Sequence, residues 1–165
     1  MAWKEKKLVE NGYKIPGNLH FVPVDFETSS WWDEILNKGF DVDKKTVVSC
    51  AGVTLYLTND AIIDTLRKMT LLASGSTIAM AFYLPPEQLD EEDKPLMEIS
   101  MKGAAAAGTP FMSFYSVNEI VKLAEDIGFT KIQTVSTKDM TERYFKDRLD
   151  NFVPASGEFF LVAKR

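Results

Sequence analysis

The stretch Thr46-Val-Val-Ser-Cys-Ala-Gly-Val-Thr-Leu-Tyr-Leu-Thr58 decides the fold class, because it joins an uninterrupted apolar run to a cluster of small residues. The run Val47–Val53 predicts a strand buried on both faces, which is typical of a parallel sheet covered by helices. A second run, Asn18-Leu-His-Phe-Val-Pro-Val-Asp-Phe-Glu-Thr28, lies upstream and ends at acidic residues. Ligands of such sheets bind beyond the carboxyl ends of the strands. Both endings therefore predict the rim of a site for a nucleotide-like cofactor.

Helical and strand-like segments alternate along the rest of the chain and predict one α/β domain covering residues 1–165. Capping residues and glycines mark where the helices begin and end. The predicted helices are Trp3–Asn11, Ser30 to Gly39, Thr58 to Ser74, one or two within Glu87–Gly108, Ser116 to Gly128, and Thr137–Asp150. The predicted strands are Leu19–Val24, Val47–Val53, Thr77–Leu84, Phe129–Val135 and Glu158–Lys164.

Composition excludes several classes of protein. The formal net charge of -5 argues against a nucleic-acid partner, which usually requires a basic surface. No apolar stretch reaches the length of a membrane span, so we expect no membrane partner and a cytoplasmic location. Cys50 is the only cysteine and His20 the only histidine. We therefore expect no intrachain disulfide and no metal site.

Asp25 has two interpretations. At the end of the predicted strand Leu19–Val24, its carboxylate could accept a hydrogen bond from the exocyclic amine of an adenine, with Phe26 as an apolar wall. Asp25 could equally cap the turn that follows, as aspartate often does. The sequence alone leaves both open.

Ala51, Gly52 and Tyr56 form the second candidate rim. Small residues at a strand end let a ligand approach the backbone closely, and tight packing of a helix on the strand is the alternative. Tyr56 could place its hydroxyl at the rim, or it could lie in the core with its hydroxyl satisfied.

Taken together, these blocks resemble the S-adenosylmethionine-dependent methyltransferases of the leucine carboxyl methyltransferase superfamily, in particular its bacterial O-methyltransferase branch. The resemblance covers essentially the whole chain, in the order and spacing of the family. The blocks are Trp3-Lys4-x-x-x-Leu8, Asn18-Leu-x-Phe-Val-Pro-Val-Asp-Phe-Glu-Thr28, Gly39-Phe-Asp41, Gly52-Val-Thr-x-Tyr-Leu-Thr58, Ser74-Gly-Ser76, Gly128-Phe129 and Arg143-Tyr-Phe145.

The resemblance implies a Rossmann-like methyltransferase fold with a mostly parallel sheet and helices on both faces. It implies S-adenosyl-L-methionine as cofactor, with Asp25 and Phe26 at the adenine and Ala51, Gly52 and Tyr56 at the methionine part. In the family's best-studied branch a glutamate holds the cofactor's ammonium group at the position of Ala51, so that contact is expected to be missing here or made by a backbone carbonyl.

The blocks of this chain correspond to the later part of the family's sequence. The family places its first two strands, including a Gly-x-Gly cofactor loop, before the block at Trp3, so we expect this chain to be the C-terminal portion of a methyltransferase. Those strands normally lie between the ones that would hold Asp25 and Gly52. We therefore expect the strand Leu19–Val24 to pair directly with Val47–Val53, or a partner copy to fill the gap in a homodimer through exposed sheet edges.

Two functions follow as alternatives. The first is methyl transfer from S-adenosylmethionine to a carboxylate or hydroxyl oxygen, with a small molecule or a carboxylate compound as the acceptor. Tyr144 and Arg148 are the candidate substrate-binding residues. An arginine could hold an acidic substrate. No catalytic base is identified. The second is a non-catalytic fragment or subunit that keeps the fold without binding the cofactor by itself, which the absent glycine loop favours.

Overall fold

The computed structural model describes residues 2–150 and 152–165. Backbone contacts divide the chain into two compact units, residues 1–41 and residues 42–165. The single domain expected over residues 1–165 stays a prediction. In the first unit the helices are α1 (Ala2–Glu10) and α2 (Trp31–Asn37). Ser30 caps α2 as predicted, because its hydroxyl accepts a hydrogen bond from the Asp33 amide at 3.3 Å.

The segment between α1 and α2 corrects one prediction, because Leu19–Val24 is not a strand. Its chain runs in turns at both ends: the Leu19 amide donates to the Pro16 carbonyl at 3.0 Å, and the Ser29 amide donates to the Asp25 carbonyl at 2.8 Å. A strand forms only where a neighbour accepts and donates its backbone hydrogen bonds. Pro23 removes one donor from the middle of this segment, and no strand among the described residues pairs with it.

The second unit is built on a mixed four-stranded sheet. Its strands are β1 (Val47–Cys50), β2 (Thr77–Tyr83), β3 (Lys131–Val135) and β4 (Glu158–Lys164), in the order β1-β2-β4-β3. β1 is parallel to β2, whereas β4 is antiparallel to both of its neighbours.

β1 lies at the edge of this sheet and is shorter than the predicted strand Val47–Val53. Its first residue, Val47, is 80% exposed, so the expectation of a strand buried on both faces was wrong. The predicted direct pairing with Leu19–Val24 does not form in the described residues, where β1 has β2 as its one partner.

Four helices connect the strands of the second unit: α3 (Asn59–Met69), α4 (Lys94–Ala106), α5 (Val117–Ile127) and α6 (Thr137–Met140). Their N-terminal signals were predicted correctly at Ser116, where a complete capping box forms with Glu119. Gly128 ends α5 in a left-handed conformation, φ +111°. The predicted helix Thr137–Asp150 is shorter than expected, because after α6 the chain forms a π-helical turn over Thr141–Phe145.

The core of this unit forms where the amphipathic faces of α3 and α5 meet the sheet. α5 contacts α3, β3 and β4. Burying these apolar side chains supplies most of the free energy that holds the unit together. The described apolar side chains with at most 1% exposure are Ile62, Leu66, Leu72, Ile78, Met80, Ala81, Phe82, Ile120, Ala124, Leu161 and Ala163.

Candidate functional site

The carboxyl ends of β1 and β2 lie at the same edge of the sheet, because the two strands are parallel. Directly after β1, Ala51 and Gly52 are exposed. Gly52 has φ +67°, and no described heavy atom outside Ala51, Gly52 and Val53 lies within 4 Å of the position where a Cβ would stand. The tight-packing alternative for this glycine is therefore excluded within the described residues, and the backbone faces open space at the predicted rim.

A short 3₁₀ turn, Thr54–Tyr56, follows and is tied to the sheet. The buried Thr54 hydroxyl donates to the Ala81 carbonyl of β2 at 2.7 Å, which fixes the turn against the strand end. Tyr56 is 43% exposed, so it is not a core tyrosine. Its ring lies edge-on to Phe111 with the centroids 5.4 Å apart.

A cleft of about 270 Å³ opens beside this turn, within the second unit. It lies where β2 ends and β4 begins, and residues of α4 line another part of its wall. The lining residues are Leu55, Tyr56, Tyr83, Leu89, Asp93, Leu96, Met97, Ser100, Phe111, Ala155, Gly157 and Glu158.

The polar part of the cleft is a tyrosine–carboxylate pair. Tyr83 ends β2 and Glu158 begins β4, and the register of the antiparallel pair places them opposite each other. Both side chains line the cleft. Burial raises the pKa of Tyr83, and the charge of Glu158 raises it further. Tyr83 therefore keeps its proton at neutral pH.

The second carboxylate of the cleft, Asp93, has a structural partner. It accepts a hydrogen bond from the Ser156 amide at 2.7 Å, while the Ser156 hydroxyl accepts one from the Asp90 amide at 3.0 Å. These bonds tie the segment before β4 to the start of α4. The backbone and side-chain hydrogen bonds of Ser156 lower the pKa of Asp93.

We expect the Asp93→Asn substitution to destabilise the protein in a pH-dependent way. Because the pKa of Asp93 is lowered on folding, its stabilising contribution is complete above its unfolded pKa and is lost as the pH falls through the folded value. The difference in urea midpoint between wild type and Asp93→Asn should be largest at neutral pH and shrink below about pH 4. A difference that stays constant from neutral to acid pH would contradict this assignment.

Asp25 and Phe26, predicted for the adenine side, lie in the first unit. The Asp25 carboxylate accepts a hydrogen bond from the Glu27 amide at 3.0 Å, so it does cap the following turn. Phe26 is partly exposed, with its ring centroid 6.5 Å from that of Trp31. The adenine contacts of these two residues stay a prediction.

Tyr144 and Arg148, predicted for the substrate, do not line the cleft. Tyr144 is 72% exposed. Arg148 binds the Asp150 carboxylate, with its Nε 2.8 Å from Oδ1, and its guanidinium lies 5.4 Å from the Phe152 ring centroid. These contacts already engage the planar face and one edge of the guanidinium, and the Asp150 hydrogen bond raises the pKa of Arg148.

Tyr83 and Glu158 are the site residues that sequence reasoning missed. They are far apart in the chain, and only the pairing of β2 with β4 brings them together. A signal was present, since Tyr83 stands just before Leu84-Pro85-Pro86 at the end of one predicted strand and Glu158 at the start of another. An antiparallel pairing of those two strands would have placed the residues side by side.

Metal-binding and membrane-spanning features are not found in residues 2–150 and 152–165. No group of three His, Cys, Asp or Glu side chains there could hold a metal ion. No helix there has the length and apolar character needed to cross a membrane. Burial raises the pKa of the Cys50 thiol, which keeps it protonated and a weak nucleophile.

Comparison with known proteins gives two matches in sequence. Residues 1–70 match the leucine carboxyl methyltransferase family. The chain is 32% identical over 149 residues to YktD of Bacillus subtilis (strain 168), a candidate S-adenosyl-L-methionine-dependent methyltransferase, and the match covers 90% of this chain and 49% of YktD. The chain therefore spans about half the length of the curated relative it matches.

Solved structures share the fold at low sequence identity. A candidate methyltransferase from Thermobifida fusca YX superposes with a TM-score of 0.62 at 16% identity, covering 99% of this chain and 58% of that one. A SAM-dependent methyltransferase from Archaeoglobus fulgidus gives a TM-score of 0.56 at 10% identity, covering 99% and 81%. The fold is thus Rossmann-like, as in methyltransferases. In sequence, residues 1–70 resemble the leucine carboxyl methyltransferase family, and the similarity to YktD extends over 90% of the chain.

Proposed function

We propose that this protein transfers a methyl group from S-adenosyl-L-methionine to an oxygen atom of a small-molecule acceptor. The observation that carries the proposal is the position of Tyr56. It belongs to the segment that the family resemblance assigns to the methionine part of the cofactor, and it also lines the cleft. Methyl transfer depends mainly on holding donor and acceptor in line, so a residue common to both regions is what such a reaction needs.

The open backbone at Gly52 suits the cofactor. Since no described heavy atom apart from its chain neighbours lies within 4 Å of its missing Cβ, a ligand can approach the chain there without displacing a side chain. When bound, S-adenosyl-L-methionine would supply an electrophilic methyl group. Ala51 and Gly52 would hold the methionine part, Ala51 through its backbone, and Tyr56 would form the wall towards the acceptor.

The proposal also gives roles to two residues of the first unit, and it names the class of acceptor and the location in the cell. Asp25 and Phe26 would contact the adenine, with Asp25 using carboxylate lone pairs that the Glu27 amide leaves open. The acceptor is a small molecule or a carboxylate compound, and the place of action is the cytoplasm.

Calorimetric titration of S-adenosylhomocysteine into the 165-residue protein tests the proposal. We expect saturable binding with one site per chain, and transfer of a labelled methyl group to the oxygen of an acceptor. Absence of detectable binding would overturn the proposal for this chain and favour the second candidate.

The second candidate is a non-catalytic subunit that completes its sheet with another chain. The outer edge of β1 favours it, because Val47 is exposed and no described strand pairs there. An open edge is a template for pairing with a further strand. A second copy of this chain, as in a homodimer, is one such partner. Light scattering during size-exclusion chromatography would exclude the homodimer if it shows a strict monomer.

A further inference from the structure

The cleft beside Tyr56 differs in charge from a site built for an acidic ligand. Among the described residues that line it, Asp93 and Glu158 are negative and none is positively charged. A carboxylate ligand would enter a partly buried space next to two like charges, with no arginine or lysine to compensate the loss of its hydration. The cleft thus disfavours a carboxylate acceptor.

Glu158 is the group that a ligand would find at the polar end. It lies opposite Tyr83 in the register of β2 and β4, and an ionised carboxylate has about four lone-pair sites, so it has acceptor capacity for a ligand. Asp93 is instead bonded to the backbone of Ser156. The ligand group that satisfies Glu158 is a hydrogen-bond donor.

The other lining residues determine which kind of ligand the cleft can hold. Leu89, Leu96 and Met97 give an apolar surface, and Phe111 offers a ring already set edge-on to Tyr56. An engineered apolar cavity of about 150 Å³ holds benzene, so 270 Å³ is enough for one aromatic ring with an alkyl substituent. Offset and edge-to-face ring contacts would orient it.

We propose that this cleft binds a neutral aromatic hydroxyl compound, a phenol with an apolar substituent, whose O–H donates to the Glu158 carboxylate. A neutral donor satisfies Glu158 without bringing a like charge to Asp93. It also avoids the cost of desolvating an ammonium group against apolar walls. The inference rests on the proposed function only in naming this compound the methyl acceptor.

Binding is tested without any methyl donor, so that failure here is separate from failure of the proposed function. The probe is 4-propylphenol, titrated into the 165-residue chain and followed by amide shifts in ¹H–¹⁵N spectra. The matched compounds are 4-propylanisole, which lacks the donor, 4-propylbenzoate, which is anionic, and 4-propylbenzylamine, which is cationic. We expect the phenol to bind at least tenfold more tightly than each of the three, with shifts centred on the lining residues.

The variant Glu158→Gln should weaken phenol binding at least fivefold and reduce the discrimination against 4-propylbenzoate. Glu87→Gln, at an exposed position outside the cleft, is the control and should behave as wild type. If Glu158→Gln fails to fold, Leu96→Trp is the second variant, because Leu96 is 60% exposed and a larger side chain there would fill the opening.

Several outcomes would overturn the inference: benzoate or benzylamine binding as tightly as the phenol, no phenol binding at all, or unchanged phenol affinity in Leu96→Trp. Phenol binding without S-adenosylhomocysteine binding would leave the cleft assignment standing and remove the proposed activity. The reverse result would remove the cleft assignment alone.

Discussion

Replacing Leu66 with alanine is expected to lower the free energy of unfolding by roughly 2 to 5 kcal/mol. Leu66 lies in α3, and none of its side chain is exposed. Truncation removes its apolar contacts and leaves a cavity that a packed interior closes only in part. Urea denaturation followed by circular dichroism measures the effect as a fall in midpoint at unchanged slope.

The matched control is Leu71→Ala, the same substitution a few residues further along. Leu71 is 57% exposed, so its loss should change the stability by no more than about 0.5 kcal/mol. Equal losses at the two positions would show that the burial assigned to α3 is wrong.

The second large effect is expected at Gly52, where valine should reduce affinity for S-adenosylhomocysteine at least tenfold. A β-branched side chain is strongly disfavoured at φ +67° and would occupy the open space proposed for the cofactor. The conformational part of this effect is on the order of 1 to 2 kcal/mol and would appear in the stability as well.

Gly108→Val separates the two contributions. Gly108 has φ +79° and, like Gly52, has no described heavy atom apart from its chain neighbours within 4 Å of the place a Cβ would take, but it does not line the cleft or the end of β1. The two variants should therefore lose similar stability, while only Gly52→Val loses affinity. Equal affinities for wild type and Gly52→Val would remove Gly52 from the proposed site.

Local signals account for the parts of the fold that the sequence predicted well. The strand Glu158–Lys164 has the predicted bounds, and the capping box at Ser116 and the glycine stop at Gly128 act within a few residues of themselves. Strand pairing is different, because it depends on a distant partner. Leu19–Val24 has strand-like residues but no partner among the described strands. The sequence of β1 is typical of a central strand, although β1 lies at the edge of the sheet.

The candidate site shows the same contrast between local sequence signals and pairing of distant segments. The position of Ala51, Gly52 and Tyr56 just after β1 could be predicted, because a strand end and its small residues are visible in one stretch of sequence, and their contacts with a cofactor stay a prediction. The pair Tyr83–Glu158 depends on the register between β2 and β4, which composition does not reveal. The contacts of Arg148 with Asp150 and Phe152 could not be predicted from the sequence, and its role in binding a substrate stays a prediction.

The strand order β1-β2-β4-β3 also constrains how the protein can be made. β4 lies between β2 and β3 but follows both in the chain, so neither has its central neighbour until residues 158–164 have been synthesised. During translation β2 would have β1 as its one partner among the described strands and β3 would have none, so both would carry unpaired backbone groups that favour aggregation. Completion of the sheet should therefore be a late step in folding, governed by long-range pairing that is slow to form.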